Sequence, residues 1–359
     1  MLSHFKSFTK KDILSLTHTR KFETKLGEII SAGNAGEDVE SVIKNTSARY
    51  VIFGIPEDIG VIANLGRGGT DSAWFPFLDA FLNIQSNDFL SGENIMVTGY
   101  FDFTEEKKLI NVNAATEEEK IKAYRALVTK IDDEVEEIVK LIVQNKKIPV
   151  IIGGGHNNAY AAIKGAAKGL YKTDQVPLAQ INCINLDAHT DYRPTEGRHS
   201  GNPFRYAEED GYLNKYCAVG IHENYLQQNV WIDIVNNPFM DCITYEDIFL
   251  HEKRTFLQAV AHAADFTRDN FTGIELDLDS IQNVLSSASS PGGITSLQAR
   301  QYLNYVALET NVAYLHICEG AAKLSTGETQ TLTGKLISYL VSDFIKAHLR
   351  SKQEIGSIA

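Results

Sequence analysis

Across 116–144 apolar residues return at steps of three and four (Leu127, Ile131, Val135, Ile138, Ile142) with charges between them, the period of one helical face. The run that follows, Pro149-Val150-Ile151-Ile152, is short and unbroken, which predicts a strand buried on both sides. The same two patterns then alternate. Helices are expected over 159–170, 256–265, 297–311 and 331–350, and strands over 181–186, 217–221, 271–278 and 312–318. Upstream, Arg49-Tyr50-Val51-Ile52-Phe53-Gly54-Ile55-Pro56 reads as a strand stopped by Gly and Pro, and the Gly-rich stretch 57–70 as a loop. Residues 1–48 are polar with scattered apolar positions and predict a helical N-terminal extension lying on the main body.

Strands alternating with helices imply a three-layer α/β/α fold around a mostly parallel sheet, with right-handed crossovers. Ligands of such sheets sit at the carboxyl ends of the strands. No repeat, low-complexity tract or Pro/Ser-rich linker interrupts 49–359, so one domain is expected there.

Hydrophobic residues make up 43% of the chain, enough for a large buried core. The net charge of −12 argues against nucleic acid or an anionic membrane as partner and suits a protein that collects cations. Cys183, Cys217, Cys242 and Cys318 are too scattered for a disulfide framework or a zinc knuckle and read as reduced thiols. The Lys-rich start has no apolar signal core, and no run of about 18 apolar residues occurs. A cytoplasmic location is the expectation.

Four polar clusters stand where strands end. Gly153-Gly154-Gly155-His156-Asn157-Asn158 follows the 149–152 strand; Asn158 occupies the third glycine position of a dinucleotide loop, which leaves a sharp turn presenting His156. In Asp187-Ala188-His189-Thr190-Asp191 the alternation of an extended chain would turn Asp187, His189 and Asp191 to one side. Glu275-Leu276-Asp277-Leu278-Asp279 repeats the device with Asp277 and Asp279, although alternation also leaves Glu275 on that face. Two buried carboxylates at about 4 Å repel by about 4 kcal/mol at an effective dielectric near 20, so a cation between them is the simplest remedy. Last, Glu319 ends the 312–318 strand, where it is either a solvated terminus or a partner for a cationic substrate group.

His156, Asp187, His189, Asp191, Asp277 and Asp279 form a nitrogen-and-oxygen ligand set without thiolate, which suits manganese better than zinc or copper. Their four carboxylates are balanced by two divalent ions, and such a pair lowers the pKa of a shared water toward neutrality.

These motifs resemble those of the ureohydrolase family, the arginase and agmatinase group that includes the formimidoylglutamases. The likeness spans about 50–319: a G-G-x-H turn, a D-A-H-x-D stretch and a D-x-D stretch, which in that family bind two manganese ions. It implies two Mn2+ per chain on the six residues above, an arginase-like fold, a homo-oligomer, and Glu319 as the carboxylate that holds a guanidinium or amidine. Gly292-Gly293-Ile294-Thr295 resembles the family's helix entry. Gly54-Ile55-Pro56-Glu57-Asp58-Ile59-Gly60, the later Gly66-Arg67, and His199-Ser200-Gly201-Asn202-Pro203-Phe204-Arg205 are most similar to formimidoylglutamases, and Phe204 stands where arginases carry a shuttle histidine. The Asp-Pro that usually follows the D-x-D stretch is replaced here by Ser280-Ile281-Gln282-Asn283, and Asn157 departs from the common Asp or Ser.

The resemblance therefore implies a hydrolase of linear amidines: N-formimidoyl-L-glutamate plus water to glutamate plus formamide, a step of histidine breakdown. Glu319 would orient the amidine, Asp191 or solvent would protonate the leaving nitrogen, and Arg193, His199, Ser200 and Arg205 would receive the carboxylates of this small-molecule substrate. The rival readings are a ureohydrolase acting on a guanidino compound and a metal-binding relative without catalysis.

Overall fold

The computed structural model describes residues 2–358, with side chains described as far as Ser351. Nine strands form one sheet: β1 (Phe5–Ser7), β2 (Tyr50–Gly54), β3 (Ile95–Phe101), β4 (Ile148–Ile152), β5 (Ile181–Leu186), β6 (Leu213–Ile221), β7 (Met240–Thr244), β8 (Phe271–Asp277) and β9 (Asn311–Cys318). Their order is β1-β3-β2-β4-β9-β8-β5-β6-β7, and every pairing is parallel except that of β1 with β3. The strands followed by the four polar clusters, β4, β9, β8 and β5, are thus neighbours at the centre of the sheet.

Alternation along the strands builds two cores, one on each face. Val150 and Ile152 of β4 join Ile184, Leu186, Leu276, Leu315 and Ile317 beneath the helices Trp74–Leu82, Phe256–Thr267, Ser296–Glu309 and Thr333–Ile358. Ile151, between them in sequence, points the other way and packs with Ile181 and Cys183 beneath Glu117–Gln144, Asn158–Lys172 and Pro203–Glu209. The expected three layers are therefore present. The 28-residue helix Glu117–Gln144 starts where the Thr116 side chain accepts the Glu119 amide, and Thr295 opens Ser296–Glu309 with a capping box to Gln298.

Several parts differ from expectation, β7 and the helix Trp74–Leu82 among them, and three show why. Within 1–48 there are helices at Lys10–Ser15, Leu26–Ile29 and Val39–Asn45, but Phe5–Ser7 forms the antiparallel edge strand. The stretch 57–70 is not all loop: Ile59–Ala63 is helical because the Glu57 carboxylate accepts the N–H groups of Ile59 and Gly60 at its first turn. β3 escaped the pattern because Thr98 and Gly99 interrupt its apolar run.

Gly54, the last residue of β2, sits so close to Trp74 that a Cβ would lie 2.3 Å from the indole ring. Gly54→Ala must push this fully buried ring, and overpacking of that kind costs ~1–3 kcal/mol. Urea unfolding should show the lower midpoint with an unchanged slope; a shift under ~0.5 kcal/mol would mean that Trp74 gives way freely.

Candidate metal centre

The chain leaves β4 through Gly153 and Gly154 at φ +88° and +79°. At Gly154 a side chain is excluded twice over, since a Cβ would also meet the Ile55 carbonyl at 2.7 Å. The turn is moulded around Glu57. One of its oxygens accepts from Gly155 N (3.0 Å), Asn157 Nδ2 (3.2 Å) and Asn158 Nδ2 (2.7 Å), while the other takes the two amides of the Ile59 turn. This holds His156 with its ring wholly buried and edge-on to Phe204, 5.2 Å between centroids.

The two aspartate-led stretches make the same local turn. Asp187 Oδ1 accepts the His189 amide at 2.7 Å, and Asp277 Oδ1 accepts the Asp279 amide at 2.7 Å. One oxygen of each carboxylate is thereby used to bend its own chain. The other faces His156 Nδ1, at 3.2 Å from Asp187 and 3.3 Å from Asp277, and Asp191 Oδ2 completes the group at 2.9 Å. These residues do not converge by extended alternation, as the spacing suggested. β5 ends at Leu186 and β8 at Asp277; Asp279 lies on a 3-10 turn, and Asp191 reaches inward with a left-handed backbone, φ +45°. His189 Nδ1 lies 3.0 Å from Asp279 Oδ2 and 3.7 Å from Asp187 Oδ1, its ring stacked on Tyr225. The six expected ligands thus form two groups that share Asp187: His156, Asp187, Asp191, Asp277, and Asp187, His189, Asp279, with the donor atoms of each within 4.8 Å of one another.

The electrostatics of this arrangement call for a cation. Burial works against a charge on His156, but Cys318 and the carboxylates of Asp187, Asp191 and Asp277 lift its pKa well above the ordinary value. Burial together with Asp279 and Asp187 drives Asp277 well up, and burial with Asp187 raises Asp191 to about 6. His189 is raised too, Asp279 and Asp187 outweighing the effect of burial. Protons otherwise do the neutralising. Neither ring nitrogen of His156 nor Asp279 Oδ1 has a hydrogen-bond partner despite full burial of these atoms. One imidazole nitrogen has a single lone pair or proton and cannot satisfy three carboxylates, whereas a cation can. An oxygen-rich set with two imidazoles and no thiolate fits manganese.

A cavity of about 270 Å³ opens above the cluster, lined by His189, Asp191, Asp277 and Asp279 on its floor and by Asn64, Arg193, Ser200, Gln227, Ser287 and Glu319 on its walls. Glu319 enters from the end of β9 in a left-handed conformation, φ +61°, and takes one hydrogen bond on each oxygen, from His156 N (2.8 Å) and from Ser287 Oγ. Burial raises its pKa to about 8 against the pull of those bonds, with Asp191 and Asp279 adding to the rise. Arg193 bonds Asn64 Oδ1 at 2.7 Å and leaves its buried Nε without a partner; Asn64 in turn donates to Ser200 Oγ at 3.3 Å.

Two expected substrate contacts are not on this wall. His199 is fully buried inside its own loop, with Gly201 N donating to Nδ1 and the Asn202 amide 3.0 Å from Nε2. Burial and the nearby Arg193, Arg125 and Arg198 bring its pKa down to about 3, so it is a neutral loop residue. Arg205 lies over the Tyr192 ring and pairs with Asp233, turned away from the cavity. Its motif neighbour in space is Arg198, which grips Asp132 with two nitrogens and the Asn157 carbonyl with a third bond, tying this loop to the His156 turn.

Other residues take part in ways to which the sequence alone assigned no role, Glu275 among them although its face was noted. Asn185 donates to Asp187 Oδ2 at 3.0 Å and contacts Tyr216, which bonds the Thr190 carbonyl. Near His156 lie Glu275, Tyr314 and His316, all buried, with Tyr314 and His316 each hydrogen-bonded to Glu275. Their signal was a run of polar residues at every second position of otherwise apolar strands.

Comparison with known proteins gives a concordant picture. The sequence model of the arginase family matches residues 48–342. A formimidoylglutamase of Macrococcus caseolyticus is 26% identical over 298 residues, 81% of this chain and 83% of that protein. One from Psychrobacter cryohalolentis is 25% identical over 228 residues, 59% of this chain and 62% of its own length, less than two thirds of that relative. Among solved structures, formimidoylglutamase from Bacillus subtilis superposes with a TM-score of 0.70 at 18% identity, covering 93% of this chain and 94% of that one. Trypanosoma cruzi formiminoglutamase with Mn2+ gives 0.66 at 18% identity, covering 90% and 98%.

If a cation resolves the crowding, divalent metal must stabilise the fold, by about 2.7 kcal/mol at a hundredfold excess over its Kd. Asp277→Asn should unfold within ~1 kcal/mol of the native protein in EDTA, because burial and the neighbouring Asp279 and Asp187 already disfavour the charge that the substitution removes. It should lose most of the gain on adding Mn2+. Denaturation of both proteins with and without metal checks this; an equal gain in both would remove Asp277 from the ligand set.

Proposed function

This chain belongs to the arginase family, and on that premise we propose that it is a manganese-dependent hydrolase of amidines, taking N-formimidoyl-L-glutamate and water to glutamate and formamide. The observation that supports the reading is a pair of largely buried His/Asp clusters with Asp187 in common, of which His189, Asp191, Asp277 and Asp279 line one cavity together with Glu319.

His156, Asp187, Asp191 and Asp277 would hold one manganese ion, and Asp187, His189 and Asp279 a second. Such a pair supplies positive charge to polarise the amidine and lowers the pKa of the attacking water. The protein's own groups do the rest. Each Glu319 oxygen already receives one donor and keeps lone-pair capacity for an N–H of the amidinium, which fixes the plane of the reacting carbon. A cation beside it favours the charged carboxylate that burial alone disfavours. Arg193 and Ser200, which also line the cavity, offer the substrate's carboxylates a charged and a neutral donor. Asp191, which lines the cavity, or solvent returns the proton to the leaving nitrogen.

Within the same reading the protein works as a homo-oligomer in the cytoplasm, in histidine breakdown. The cysteines, none of them in a disulfide, accord with a reducing compartment. No helix among the described residues is long and apolar enough to cross a membrane.

The test is a substrate panel on manganese-loaded protein. Formamide should appear from N-formimidoyl-L-glutamate, and Glu319→Gln should lower kcat/KM about 10–100-fold, the worth of one charge-assisted hydrogen bond. Urea from arginine or agmatine without formamide would instead make it a guanidino hydrolase. Bound manganese with no turnover on any of these would leave a binding protein.

A further inference from the structure

Glu275 stands two residues before Asp277 on β8, so the pleat turns both to the same side of the sheet, and His316 is its registered partner on β9. Both side chains are wholly buried. A carboxylate in such a place persists only if paired and hydrogen-bonded. Glu275 Oε1 accepts from the Tyr314 hydroxyl at 2.7 Å, and Oε2 lies 2.7 Å from His316 Nδ1. The same Oε2 is 3.4 Å from His156 Nε2. His156 is therefore placed between two kinds of carboxylate: three converge on Nδ1, and one waits behind Nε2.

A neutral imidazole has one N–H and one lone pair. With the proton on Nδ1, it would aim an N–H at the cation and a lone pair at the Glu275 carboxylate, unfavourable on both sides. With the proton on Nε2, the lone pair meets the cation and the N–H meets a carboxylate. Cys318, also within reach of the ring, is the weaker acceptor and directs its thiol at the Leu276 carbonyl.

We propose that Glu275 is a positioning residue for the manganese centre: by accepting the Nε2 proton of His156 it selects the tautomer and ring angle that present Nδ1 to the cation shared with Asp187, Asp191 and Asp277. His316 lies beside the Glu275 oxygen that faces His156, whereas the Tyr314 hydroxyl bonds the other oxygen, away from His156. Partners behind metal-bound histidines commonly act in this way. The inference rests on the two-ion reading above. It goes beyond it in predicting that the two ions depend unequally on Glu275, because His189 has no contact with it and stacks on Tyr225 instead.

The experiment is manganese binding to the full chain by equilibrium dialysis, with the low-temperature EPR spectrum as an independent readout. Glu275→Gln should weaken one of two bound ions about 10–100-fold and leave the other near its native affinity. At limiting manganese the signal of coupled ions should give way to that of isolated ones. Tyr314→Phe removes a hydrogen bond from the same buried network without touching His156 and should keep both affinities near native. Equal losses in the two variants, or native affinities in Glu275→Gln, would overturn the proposal. If Glu275→Gln does not fold, Glu275→Asp, which keeps the charge but draws it back by one methylene, should give the same one-sided loss, and native affinity there would overturn it equally. A native protein that binds no manganese would instead defeat the two-ion reading itself.

Discussion

The structure is governed by the cost of bringing carboxylates together out of water. Asp187, Asp191 and Asp277 all stand within 3.3 Å of one imidazole nitrogen, in a place where burial disfavours the charged form of each carboxyl group. Such a cluster does not form by default: its members repel, and each would be better solvated apart. It exists because the backbone leaves no alternative. Four neighbouring parallel strands end at the same level, and from each the chain turns at once, so the ligands arrive on short, stiff connections.

The stiffness has identifiable sources. Asp187 and Asp277 each spend one oxygen on bending the chain that carries the next ligand, so a single residue both binds and builds. Asp191 and Glu319 are held in left-handed conformations that cost non-glycine residues about 1 kcal/mol or more. Glu57 organises the His156 turn with a carboxylate that never reaches the cavity, and Arg198 joins that turn to the loop bearing Arg193 and Ser200. Buried carboxylates gather at the site, where Glu57, Asp187, Glu275, Asp277, Asp279 and Glu319 all lie, whereas the two apolar cores are built from ordinary alternation.

This division explains what could be read from the chain alone. β4 was legible because a strand buried on both faces leaves an unbroken apolar run, and β5, β8 and β9 because polar positions only partly interrupt theirs; the polar clusters that end them stood out for the same reason. That Asp187, His189, Asp277 and Asp279 would meet was legible too, though for an incomplete reason: spacing by two serves an extended strand, but here it serves a turn in which residue i accepts the amide of i+2. What was not legible is what depends on contacts distant in sequence. Glu57 and Asn157, about a hundred positions apart, give no local sign of their bond. Arg205 and His199 looked as suitable as Arg193, since only tertiary packing decides which cation of a loop faces inward; Asp233 and Tyr192 draw Arg205 outward.

The cavity has a polarity that follows from the same constraint. Its floor is anionic, and on the proposed reading bound cations offset that charge, while Glu319 remains as a local negative site and Arg193 as a local positive one. Asn64 bridges Arg193 and Ser200, and Glu196 contacts both Arg193 and Arg125, so the cationic side is held by a network rather than by one flexible side chain. A substrate with a cationic amidine at one end and carboxylates at the other would match this layout in only one orientation. On the proposed reading that orientation would set the amidine carbon near the carboxylate cluster. Discrimination between amidine and guanidine substrates must then come from the anionic tail, because Glu319 can pair with either head group equally well. On that reading, Arg193, held at the cavity wall by Asn64 and Glu196, is therefore the residue on which the choice of substrate would turn.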